Sequence, residues 1–139
     1  MIYSKTAKYA ILALAEVSAR SSGHYVSTQE IADVAAIPYP HFAKTLAQLK
    51  RAGLVTTSRG KSGGILLAKP ADQIRVLDVV LAIDGPATLN DCPLFLQSCN
   101  CTRTCSLHGL WRETHDAVLG FLAHTTIADI AVARAGLAS

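Results

Sequence analysis

The chain has 139 residues, half of them apolar, and a formal net charge of +3. That length holds one domain, or one domain with an appendage, and the apolar share suffices for a compact core. No apolar run reaches the ~20 residues of a membrane span, and residues 1–8 show no signal-peptide cleavage pattern, so the expectation is a cytoplasmic protein with no membrane partner.

The charge is lopsided. Residues 1–70 carry nine Lys/Arg against three Asp/Glu, whereas residues 71–139 carry four against seven. A basic first half beside an acidic second half fits nucleic-acid binding by the first half, although solvated charges also cluster by chance.

In chain order, residues 4–20 read as a helix with Ser4 as its cap, because Tyr9, Leu12, Ala13 and Val17 follow at near-helical spacing. Tyr25-Val26 reads as a short extended piece. Ser27-Thr28-Gln29-Glu30 has the form of a capping box and opens a short helix with Ile31, Val34 and Ala35 apolar. Pro38 breaks it. The next helix is expected from Pro40 to Ala52, with Phe42, Leu46 and Leu49 as its buried stripe and His41, Lys44, Thr45 and Gln48 on a face rich in hydrogen-bond donors.

Two helices joined by a tight turn, the second with donors outward, form a helix-turn-helix; an ordinary amphipathic surface helix has the same look. The following residues weigh toward DNA. Residues 54–58 and 65–68 read as strands around Arg59-Gly60-Lys61-Ser62-Gly63-Gly64, a glycine-rich tip with two cations, which makes a basic wing. A nucleotide-phosphate loop is the rival, but no helix follows the glycines. The residues expected to meet double-stranded DNA are Ser4, Lys5, Thr28, Tyr39, Pro40, His41, Lys44, Thr45, Gln48, Arg59 and Lys61.

Asp72 is expected to cap a helix through Ile83 that buries Ile74, Leu77, Val80 and Leu81. A loop follows over 86–103, then the longest helix, from Thr104 to His124, capped by Thr104 or Thr102. Its residues Leu107, Trp111, Thr114, Val118 and Phe121 alternate four and three apart, with Leu110 and Leu122 widening the stripe. Such a seam suits pairing of helices in a homodimer, or packing within one subunit. A short helix is expected from Ile127 to Ala135.

All four cysteines, Cys92, Cys99, Cys101 and Cys105, fall in one segment, and His108 follows Cys105 by three residues. A helix beginning at Thr104 would set Cys105 and His108 on one face, with Cys92 and Cys99 reaching in from the loop. Thiolates beside an imidazole suit zinc or an iron–sulfur cluster. Zinc sites usually show two close cysteine pairs, and here there is one loose cluster. A thiol–disulfide switch without metal is a third reading. His115 and His124 read as surface or interface residues. No catalytic Ser/His/Asp set, paired carboxylates or nucleotide fingerprint appears, so no enzyme is expected; a cysteine with His108 or His115 is the best nucleophile available.

The residues Tyr3-Ser4-Lys5-Thr6-Ala7-Lys8-Tyr9-Ala10, Ala52-Gly53-Leu54-Val55, Ser58-Arg59-Gly60 and Gly63-Gly64 resemble the Rrf2 family of winged-helix regulators, which includes IscR-like and NsrR-like members. The likeness extends over nearly the whole chain. It implies a mainly α fold with a small β-hairpin, a winged helix-turn-helix followed by a long C-terminal dimerisation helix. The implied division is 1–85 for DNA binding, 86–106 for a cysteine-rich loop and 104–139 for the dimerisation and C-terminal helices. It also implies a cluster held by Cys92, Cys99 and Cys105. The step from Cys105 to His108 resembles the IscR-like pattern, in which a histidine is fourth ligand to a 2Fe–2S rather than a 4Fe–4S cluster. NsrR-like members use an acidic residue of the partner's first helix, where this chain offers Lys8. Cys101 departs from the pattern and is a spare thiol, a replacement ligand or a disulfide partner.

The function implied is a transcriptional regulator, expected to repress, whose DNA affinity follows a cluster sensing iron, redox state or nitric oxide. The alternatives are a cluster-free thiol switch, an iron–sulfur carrier and a protein-binding adaptor.

Overall fold

A computed structural model of the chain describes residues 2–59, 63–90 and 106–138. Helix α1 (Lys5–Arg20) starts where the Ser4 hydroxyl accepts the Ala7 N–H at 3.0 Å. Its small residues Ala7, Ala10, Ala13 and Ala15 are buried with Ile11, Leu14 and Val17, so neighbouring elements approach it closely. Strand β1 (Val26–Ser27) leads directly into α2 (Thr28–Val34). The capping box is met from one side: Ser27 accepts the Glu30 N–H at 3.3 Å, while the Glu30 carboxylate is taken by Arg20.

The turn after α2 places Ala36 at φ 56° and buries Ile37, whose N–H reaches Ala32 O at 2.9 Å. Helix α3 (Tyr39–Arg51) begins one residue before Pro40, and buries Phe42, Leu46 and Leu49 as their spacing requires. Strands β2 (Val55–Ser58) and β3 (Gly64–Leu67) form the expected antiparallel hairpin. The sheet has a third strand, in the order β1-β3-β2, with Val26 opposite Ile65 and Ser27 opposite Gly64. The extended piece at Tyr25-Val26 is thus tied to the wing.

The helix expected from Asp72 is divided. Residues Ala71–Gln73 make one 3-10 turn, and α4 runs Val76–Asp84 from an Arg75 cap. The reason is a bridge between Arg75 and Thr126: Val76 N–H donates to Thr125 O and Ile127 N–H to Ile74 O, both at 2.8 Å. These bonds hold Ile74 and Arg75 extended and exclude a continuous helix. Ile74, Val76, Val79 and Val80 enter the core, while Leu77 and Leu81 are only half-buried.

A 3-10 turn at Pro86–Asn90 follows α4. Helix α5 (His108–His124) begins four residues later than expected, after a turn at residues 106–107. Helix α6 (Ile127–Ala138) packs on α1, where Arg134 meets Glu16 at 2.6 Å. Hydrogen bonding to Arg134, against the opposing effect of burial and with Arg20 assisting, holds the Glu16 carboxyl below its usual range. Among the described residues no helix is long and apolar enough to cross a membrane.

Candidate nucleic-acid interface and cysteine segment

Helices α2 and α3 with the β2–β3 hairpin make a winged helix-turn-helix. Tyr39, Pro40, His41 and Lys44 are exposed on α3, Gln48 is half-buried, and Arg59 is exposed at the end of β2. Thr28 is half-buried at the start of α2, and Lys5 is exposed on α1 with its ammonium 5.6 Å from the Tyr9 ring centre. Lys61 lies outside the described residues.

Thr45 is a correction. Only 3% exposed, it turns inward and donates to His41 O at 3.0 Å. It sits three residues after Phe42 and four before Leu49, so it completes the buried stripe; three residues of the expected donor face remain outward. Ser4 is also occupied. Besides capping α1, its N–H donates to Asp84 Oδ2 at 2.8 Å and its hydroxyl donates to Asp84 Oδ1.

The spacing of residues does not reveal two neighbours of His41. Its Nε2 is hydrogen-bonded to Thr6 Oγ1 at 3.1 Å, and its ring meets Tyr9 edge-on at 6.2 Å between centres. These interactions join α1 to the first turn of α3 across 35 positions of sequence, a range no local pattern signals.

Cys92, Cys99, Cys101 and Cys105, with the caps expected at Thr102 and Thr104, lie outside the described residues. What flanks them is described. Asn90 and His108, at the two ends of the segment, line one groove with Trp111, Arg112, His115, Asp116 and Leu119. The described residues on either side of the segment therefore lie at one groove. His115 Nε2 donates to Leu89 O and its ring lies 5.7 Å from that of Trp111, which fixes this end of α5 against Pro86–Asn90.

His108 is the first residue of α5, after the turn at residues 106–107; the shared face expected for Cys105 and His108 lies outside the described residues. His124 Nδ1 donates to Gly120 O at 2.7 Å. Among the described residues no three His, Cys, Asp or Glu side chains gather as a metal site. In sequence, four thiols lie between Asn90 and His108, a donor type that iron–sulfur groups take.

Known proteins agree with this architecture. The chain is 33% identical over 132 residues to a curated Aquifex aeolicus (strain VF5) protein named "Putative HTH-type transcriptional regulator", a match spanning 94% of this chain and 91% of that one. The solved structure of CymR, the global cysteine regulator of B. subtilis, is similar with a TM-score of 0.79 at 24% identity, over 93% of this chain and 95% of that one. T. potens IscR is similar with a TM-score of 0.72 at 22% identity, over 91% and 83%. At these identities the two structures show the fold. The family description "Rrf2: Iron-dependent Transcriptional regulator" matches residues 3–133, and with the winged helix-turn-helix this establishes that the chain belongs to the Rrf2 family of transcriptional regulators.

Proposed function

We propose that this regulator binds its operator as a homodimer through α3 and the wing, and that Cys92, Cys99 and Cys105 with His108 hold an iron–sulfur cluster on which operator affinity depends. The observation that carries the cluster part is the meeting of Asn90 and His108 at one groove, which brings the ends of the four-cysteine segment together. The imidazole as fourth donor favours the 2Fe–2S type. When bound, the group supplies reversible one-electron chemistry and sensitivity to oxidants and iron supply.

The protein's own residues would do the rest. Tyr39, His41, Lys44 and Gln48 offer hydrogen-bond donors to base edges and phosphates, and Arg59 extends that surface at the wing. Pairing through α5 would set two such surfaces about 34–36 Å apart, one turn of duplex. The cysteine segment leads into α5, so a change in its ligation alters operator affinity only if it favours one arrangement of the pair over another.

A second reading is favoured by Cys101, which stands two positions after Cys99 and has no place in the three-thiol set. Two of the four thiols would then form a disulfide on oxidation and no iron would be held. Iron and sulfide analysis of anaerobically purified protein separates the two.

The DNA surface makes its own prediction. Lys44→Ala and Arg59→Ala should each weaken operator binding and lower the salt dependence by about one for each phosphate no longer neutralised. Fluorescence anisotropy across a salt series measures both. Operator binding unchanged in both variants would contradict the assignment of α3 and the wing.

A further inference from the structure

The carboxylate of Asp84 bridges 80 positions of sequence, taking both the N–H and the hydroxyl of Ser4. Asp84 is the last residue of α4 and Ser4 is the cap of α1, so one side chain fastens the end of one helix to the start of another.

What lies on either side gives this link its meaning. Beyond Asp84, the Thr88 hydroxyl donates to Asp84 O at 3.1 Å, and Leu89 O accepts from His115 on α5. The turn Pro86–Asn90 is thus held from both ends, and it stops at the edge of the cysteine segment. Beyond Ser4, the first turn of α1 carries Thr6, bonded to His41 Nε2, and the next turn carries Tyr9, edge-on to the same ring. His41 is exposed on the outward face of α3.

We infer that Asp84 and Ser4 are positioning residues for DNA recognition: by fixing the start of α1 they hold Thr6 and Tyr9 against His41, and so connect the turn bordering the cysteine segment to the recognition helix. This rests on the proposed reading of α3 as the DNA surface. Thr6 occupies Nε2, so the ring is presented to a base or phosphate through Nδ1, in an orientation that α1 sets. Freed from Asp84, the α1 cap would keep its bond to Ala7 N–H but lose its anchor. His41 would then sample several ring orientations, and binding would bear the cost of ordering it.

The test is a double-mutant cycle read as operator affinity in protein whose cysteines are reduced and iron-free. Asp84→Ala and His41→Ala are each expected to weaken binding about ten-fold, the scale of a charge-assisted hydrogen bond. The double variant should be no weaker than His41→Ala alone, because Asp84 acts through that ring. An undiminished affinity in Asp84→Ala, or two effects that simply multiply, would overturn the inference. If Asp84→Ala does not fold, Asp84→Asn, which retains one acceptor for Ser4 N–H, enters the same cycle. Asp84→Ala should also bring the ratio of affinities with and without bound iron toward one. A wild-type protein lacking any such ratio would remove the cluster reading, while the iron-free cycle would still decide the role of Asp84.

Discussion

Gly64→Ala is expected to destroy the wing. A Cβ at this position would lie 2.0 Å from the carbonyl oxygen of Val26 and 2.6 Å from its carbon, both backbone atoms of β1. A side chain could rotate away from such a clash; these atoms cannot without breaking the pairing of β1 with β3. The damage would not stop at the hairpin, because Ser27, opposite Gly64, is also the cap of α2. The expected destabilisation is about 3 kcal/mol or more, above ordinary overpacking because backbone must move. For a chain of this size that lowers Tm by roughly 10 °C. Operator binding should fall with it. Thermal unfolding of the variant beside wild type checks this, and a Tm within about 2 °C of wild type would mean that β1 does not lie against β3 in this register.

The second large effect is expected on assembly. Leu122 is the buried residue of α5, whereas Leu110 and Phe121 are 67% and 55% exposed in the isolated chain. They stand about three helical turns apart and so share one face. Glu at both positions should alter the stability of an isolated protomer by no more than about 0.5 kcal/mol, since exposed sites tolerate charge. In a two-fold interface, however, each substitution occurs twice, so that four carboxylates enter an apolar seam. An unpaired buried charge costs about 3–5 kcal/mol, enough to weaken association at least 100-fold. Sedimentation velocity should show a monomer, and binding to a two-half-site operator should drop sharply. A dimer of undiminished strength would move the interface off α5.

Residue spacing makes much of this protein legible, and the failures share a cause. The stripe Phe42, Leu46 and Leu49, the cap at Ser4 and the antiparallel pairing of β2 with β3 are local patterns, and each appears as expected. Thr45 departs from its pattern because a hydroxyl reads as polar surface in sequence; its own helix satisfies it through His41 O, so it can sit in the core. The helix expected from Asp72 is interrupted by bonds to residues 125 and 127, some fifty positions away. The third strand, two residues long, has no periodicity to read, and depends on Gly64 admitting Val26 at close range.

The proposed DNA surface follows the same division. Its exposed residues on α3 can be named from one helix, but the contacts of Thr6 and Tyr9 with His41, and of Asp84 with Ser4, are long-range interactions. The cysteines are obvious as a cluster. Their ligand set rests on resemblance, and α5, on which His108 is expected to follow Cys105, starts at His108 itself.

The central claim is that thiolates of one short segment hold iron and sulfide, and that this governs operator affinity. The most direct measurement is anaerobic reconstitution followed by titration of a promoter fragment, with iron and sulfide quantified in the same sample. Wild type should bind both elements and show an operator affinity that shifts at least about five-fold when they are removed, the lower end of typical coupling between sites. Cys92→Ala, Cys99→Ala and Cys105→Ala should lose both the iron and the shift. Protein that takes up no iron, or an operator affinity indifferent to its removal, would contradict the account.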